Sequence, residues 1–104
     1  MIRISVFYPN GPEATFDHEY YRTSHCPMVA AKLQSYGLQR VEIDKGLGGG
    51  APAEQAPFVA IGHIIIDSVD SFQKGMAVHG QEIMRDVPNY TNITPQIQVS
   101  EVVQ

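Results

Sequence analysis

Phe58-Val59-Ala60-Ile61-Gly62-His63-Ile64-Ile65-Ile66 carries apolar side chains at odd and even positions alike. On an extended backbone, Val59, Ile61, His63 and Ile65 share one face, and Phe58, Ala60, Ile64 and Ile66 share the other. A strand that is apolar on both faces has to be covered on both faces. Whatever fold is built around this segment must therefore supply a layer on each side of it.

Upstream of it, Gly46 to Pro57 is rich in Gly, Ala and Pro and reads as a loop. Before that loop, Leu38 to Lys45 alternates Val41 and Ile43 with Arg40, Glu42 and Asp44, a half-solvated strand. At the N-terminus, Ile2, Ile4, Val6 and Tyr8 alternate with Arg3 and Ser5, and Pro9-Asn10-Gly11-Pro12 ends that strand. Phe16-Asp17 starts a helix: Asp17 can cap the free N–H groups, and Phe16 and Tyr21 occupy the staple positions. Pro27 has no N–H to give, so a kink or break is expected at Cys26-Pro27, with helix resuming to Gly37. Downstream, Ser68 caps a second helix with the stripe Val69, Phe72 and Met76, expected to close near Gly80. Gln81 to Val87 adds a short helical piece, and Ile93 to Val103 reads as the last strand.

The order β-α-β-β-α-β is the split βαβ, or ferredoxin-like, plan: a single α+β domain over 1–104 with an antiparallel sheet. Both helices lie on one face of such a sheet. No segment remains to cover the other, so the doubly apolar third strand predicts a homodimer joined sheet to sheet.

Composition narrows the function. A chain of 104 residues suits one domain, and seven Lys and Arg against eleven Asp and Glu give a formal charge of −4. An acidic chain without a basic run argues against nucleic acid or an anionic membrane as partner. Its one cysteine excludes an internal disulfide framework and a cysteine-rich zinc site. No apolar run approaches the roughly 20 residues needed to cross a bilayer. Met1 leads directly into an alternating strand rather than a basic start and apolar run, so a cytoplasmic chain is expected.

Gly46-Leu47-Gly48-Gly49-Gly50-Ala51 formally fits a dinucleotide fingerprint, but Pro52 and Pro57 leave no room for the helix whose N-terminus would hold a pyrophosphate. No cofactor is expected there. His18 and His25 would stand roughly 10 Å apart on a helix, too far to share a metal bound at about 2.1 Å from each, and no metal is expected. His25 is the candidate that remains. Tyr21 lies one turn back on the same face, and Pro27 loosens the backbone just beyond, which supplies the ingredients of an acid–base pair near neutral pH. Cys26 is a weaker candidate, since its neighbouring base would be the same His25. Among the large aromatic residues, Tyr20, Tyr21, Tyr36 and Tyr90 carry hydroxyls that could orient a ligand at an apolar wall.

Phe16-Asp17-His18-Glu19-Tyr20-Tyr21-Arg22-Thr23-Ser24-His25-Cys26-Pro27-Met28 resembles the motif of the EthD family: an aromatic–Asp start, an aromatic pair, then His-x-Pro and an apolar residue. The resemblance continues through the Gly-rich loop, Phe58 to His63, and Asp86-Val87-Pro88-Asn89-Tyr90-Thr91-Asn92-Ile93. It implies a dimeric α/β barrel of two ferredoxin-like units that holds a small, often aromatic molecule between the helices and the sheet of each subunit. It also implies His25 as the motif histidine and Tyr20 and Tyr21 as its aromatic pair. The family takes its name from ethyl tert-butyl ether degradation, where it accompanies a cytochrome P450 system; similar barrels include cofactor-independent monooxygenases and muconolactone-type isomerases.

Two expectations follow. One is a cofactor-independent enzyme of isomerase, lactone or oxygenase type acting on a small apolar or aromatic metabolite, in which His25 moves a proton and Tyr20, Tyr21 and Tyr90 contact the substrate. The other is an accessory protein that carries a hydrophobic intermediate for a partner oxidase.

Overall fold

A computed structural model describes residues 1–104. Strands β1 (Ile2–Pro9), β2 (Leu38–Lys45), β3 (Phe58–Ile66) and β4 (Gln96–Glu101) form one antiparallel sheet in the order β2-β3-β1-β4. The helical segments are α1 (His18–Tyr20), a π-helical turn (Tyr21–His25), α2 (Cys26–Leu33) and α3 (Val69–Asp86). The chain is thus α+β with the ferredoxin-like order read from its sequence. No helix is long and apolar enough to cross a membrane.

The strand register sorts the side chains. Ile4 pairs with Ile64, Val6 with Gly62 and Tyr8 with Ala60 on the face that meets the helices. Arg3 opposite Ile65, Ser5 opposite His63 and Phe7 opposite Ile61 lie on the other face, which no helix covers. On that open face the His63 ring bridges two strands, with Nδ1 3.1 Å from Ser5 Oγ and Nε2 2.8 Å from Asp44 Oδ2. Under the helices, Val29 and Leu33 of α2 and Ile83 of α3 form a buried cluster with Phe72, Met76 and Ile64. Tyr8, Tyr21, Cys26, Ala60 and Tyr90 form a second one.

Local chemistry sets the ends of the elements. Asp17 accepts from the N–H of Tyr20 at 3.0 Å, and Ser68 accepts from that of Ser71 at 3.1 Å, as capping residues do. The Phe16 and Tyr21 rings touch, with centroids 5.1 Å apart, which completes the staple. Gly37 stops the first helical stretch at φ 83°, a conformation that favours glycine.

Three boundaries differ from the sequence reading. The chain does not break at Cys26-Pro27. Instead it widens into the π-helical turn, in which the N–H of Cys26 reaches the carbonyl of Tyr21, and Pro27 takes the second position of α2, where a missing N–H is tolerated. α3 does not close at Gly80 but continues to Asp86, because buried Ile83 prolongs the apolar stripe beyond that glycine. β4 is shorter than expected. It starts at Gln96, after Pro95, while Thr91 instead forms an isolated bridge with Phe16.

Candidate functional site

The entry to the first helical stretch is pinned by the segment just after α3. Asp17 donates its N–H to the Tyr90 carbonyl at 2.8 Å, Thr91 Oγ1 donates to the Thr15 carbonyl at 2.7 Å, and Asn92 Nδ2 donates to the Glu13 carbonyl at 2.8 Å. These bonds bring the end of α3 and Tyr90 against the π-helical turn. Within that turn Tyr21 and His25 stack, their rings inclined by only 14° at 5.5 Å, and Tyr90 lies 4.6 Å from the His25 ring. Wide helical turns of this kind are frequent at functional sites.

His25 is buried, and its Nδ1 stands 2.9 Å from Oδ2 of Asp86. Oδ1 of the same carboxylate accepts from the Tyr20 hydroxyl at 2.7 Å and from Asn89 Nδ2 at 2.9 Å. Burial disfavours the charged form of Asp86, yet the hydrogen bonds from Asn89, Tyr20 and His25 outweigh it and hold the carboxyl below the usual range. An ionised carboxylate only accepts, so Nδ1 must carry the hydrogen. In the neutral ring the lone pair is then on Nε2, the form required of a general base.

His25 faces a cavity of about 70 Å³ between the helices and the sheet. Fifteen of its nineteen lining residues are hydrophobic, and no Lys, Arg, Asp or Glu is among them. Met84 and Ile97 line it and are also exposed, so it opens between α3 and β4. Its polar edge consists of the hydroxyls of Tyr8, Tyr21 and Tyr90 beside His25. The Tyr8 and Tyr90 hydroxyls are hydrogen-bonded to each other at 2.8 Å. Burial raises the pKa of all three phenols, so they remain protonated. Tyr21 reaches the sheet where β3 has no side chain: a Cβ on Gly62 would fall 2.1 Å from its hydroxyl oxygen.

The residues singled out from the sequence divide accordingly. His25, Tyr21 and Tyr90 meet at the cavity, whereas Tyr20 turns its hydroxyl to Asp86 and borders a separate polar cleft with Ser24, Arg85 and Asn89. Tyr36 packs edge-on against His79, away from the cavity. Cys26 lines the cavity, but burial pushes its thiol up to about 11 despite a hydrogen bond with Tyr21. No group of three His, Cys, Asp or Glu side chains is placed to hold a metal ion. Sequence reasoning missed Tyr8, which looked like an ordinary strand residue. It also missed Asp86, although Asp86 opens a segment that carried the family resemblance.

The model of the EthD domain matches residues 11–94. An EthD-like protein of Ralstonia eutropha JMP134 is 43% identical, with a TM-score of 0.94 over 99% of this chain and 92% of that one. A dimeric ferredoxin-like protein from an uncultured marine organism is 15% identical, with a TM-score of 0.61 over 100% of this chain and 96% of that one. A variant of SnoaB, a cofactor-independent oxygenase from Streptomyces nogalater, is 15% identical, with a TM-score of 0.59 over 99% of this chain and 92% of that one. The last two likenesses are likenesses of fold. No curated protein matches the chain. By its domain match and its 43% identical relative, the chain belongs to the EthD family.

Proposed function

We propose that this EthD-family chain binds a small apolar or aromatic molecule in the cavity beside His25 and moves a proton on it without a cofactor. Isomerisation, lactone chemistry and oxygenase-type chemistry are the reaction classes in view. In this reading His25 is the general acid/base, and Tyr21 and Tyr90 orient the ligand. Tyr20 acts through Asp86, to which its hydroxyl is bonded. One observation carries the reading: Asp86 fixes the hydrogen on Nδ1 of His25, which leaves Nε2 as acceptor in a cavity lined by apolar side chains and three tyrosines.

A homodimer joined through the open sheet face belongs to the same proposal. It is supported by half-buried Phe7, Val59 and Ile61 on a face that no helix covers, and by the dimeric state in the name of one protein of similar fold. Sedimentation of the intact protein tests it, with a two-chain particle expected.

For the chemistry, a panel of small neutral ring compounds is screened by ligand-observed NMR against the wild type and His25→Ala. Chemical change or hydrogen exchange with the wild type only, with binding retained in the folded variant, is expected. Binding without any chemistry in either protein would make the chain a carrier, the role that fits a partner oxidase. Binding by neither protein would overturn the reading.

A further inference from the structure

The donor and acceptor inventory of the cavity defines a ligand class more narrowly than its apolar walls do. Tyr8, Tyr21 and Tyr90 have three hydroxyl hydrogens between them and two hydrogen bonds that meet at Tyr8, so one hydrogen is left to donate. The Tyr21 hydroxyl is engaged by Cys26 as well and adds no further donor. Nε2 of His25 is the acceptor, because Asp86 occupies Nδ1. The only other histidine at the cavity wall, His63, turns its ring to Ser5 and Asp44 on the far side of the sheet. The cavity therefore offers a hydroxyl donor to an oxygen and a base to a hydrogen, with no cation to neutralise a carboxylate or phosphate. Bringing a bare anion into such a site costs its hydration without compensation. At about 70 Å³ the cavity is less than half the roughly 150 Å³ of an engineered cavity that takes benzene, so it seats only part of a compact ring and leaves the rest in the mouth.

We propose that the ligand is a neutral, compact ketone with a hydrogen on the carbon next to the carbonyl, and that the Tyr8–Tyr90 hydroxyl pair donates to its oxygen. The inference rests on the function proposed above and deepens it. Nε2 takes that hydrogen as a proton. The C–H electron pair becomes a C=C bond, and the carbonyl π pair moves onto the oxygen, where the tyrosine hydroxyl meets the developing charge. Return of the proton from the imidazolium to the same carbon restores the ketone; in an unsaturated ketone, return to a more distant carbon shifts the double bond. No oxidant or metal enters the balance. Because burial keeps the phenols protonated, they remain donors throughout the working pH range.

The test compares three probes of similar ring size: cyclopentanone, methylenecyclopentane (CH₂ in place of the carbonyl oxygen) and cyclopentanecarboxylate. The intact protein, His25→Ala and the double variant Tyr8→Phe/Tyr90→Phe are examined by NMR in deuterium oxide. Replacing both hydroxyls together leaves Tyr21 its hydrogen bond with Cys26, so the double variant is expected to fold. A single variant would still have a free hydroxyl hydrogen and would not discriminate. The wild type should bind cyclopentanone, exchange its ring hydrogens next to the carbonyl faster than His25→Ala does, and exclude the carboxylate. The double variant should bind cyclopentanone about tenfold more weakly and methylenecyclopentane as well as the wild type does. Carboxylate binding equal to that of the ketone, or exchange undiminished in the double variant, would overturn the inference. If both neutral probes bind and the double variant is indifferent, ligand binding at His25 stands and only the ketone assignment fails. If neither neutral probe binds the wild type, both fail.

Discussion

Nδ1 of His25 lies 2.9 Å from Oδ2 of Asp86, a contact that joins the π-helical turn to the last residue of α3 across 61 positions of sequence. Removing the acceptor orphans a buried donor. Asp86→Ala should therefore lose about 1–3 kcal/mol of stability in urea titration, and Asp86→Asn, which keeps an oxygen but no charge, should lose less. Nitrogen NMR of His25 should show the hydrogen on Nδ1 in the wild type and a tautomer mixture in Asp86→Ala. An unchanged tautomer would show that something other than Asp86 orders the ring.

The same carboxylate sets a pH dependence. Its pKa in the folded chain lies below that of the unfolded chain, so the stabilisation is fully present above the unfolded value, about 3.9. It is lost as pH falls through the lower, folded value. Asp86→Asn should be the less stable protein at neutral pH, and its deficit should shrink below about pH 4. Parallel acid limbs for the two proteins would contradict this.

Gly62 is where Tyr21 meets the sheet. A methyl group there collides with the hydroxyl oxygen at 2.1 Å, while the ring carbon bearing it stands at 3.3 Å. Gly62→Ala should cost about 1–3 kcal/mol, as overpacking does. Adding Tyr21→Phe should return part of that loss, because it removes the colliding atom. The double-mutant cycle in denaturant measures the coupling, and strict additivity of the two losses would rule out the contact as the cause.

Cys26 should be inert in the native protein. It is buried with its thiol pushed up to about 11, so at pH 8 only about one molecule in a thousand carries the reactive thiolate. Iodoacetamide labelling followed by mass spectrometry should proceed readily in urea and very slowly without it.

Much of this arrangement is written in local patterns. The Asp17 and Ser68 caps, the Gly37 stop and the limits of β2 and β3 depend on neighbours a few residues away, and each could be read from the chain. The i, i+4 relation of Tyr21 and His25 was legible for the same reason. What escaped depends on distance in sequence. Asp86 stood beyond the glycine expected to end its helix, and nothing near it in the chain reveals that it meets a histidine on another helix. Tyr8 has the composition and spacing of a strand residue, and only the fold brings its hydroxyl to Tyr90, 82 positions away. Pro27 was read correctly as a disturbance, but the backbone absorbs it by widening one turn rather than by bending.

That widened turn takes up an extra residue without turning one flank of the helix against the other. It lodges one residue more than an α-helical turn holds, and each residue of an α-helix advances the rotation by about 100°. A chain shortened by a single residue between Tyr21 and His25 could straighten into an unbroken α-helix and leave His25 where α2 holds it. The capped segment before it would then keep its rotation about the axis, and Tyr20, now one α-helical turn from His25, would stay on the carboxylate that the two share. Among related chains, a one-residue gap at this point would thus mark loss of the widened turn while the histidine keeps its carboxylate.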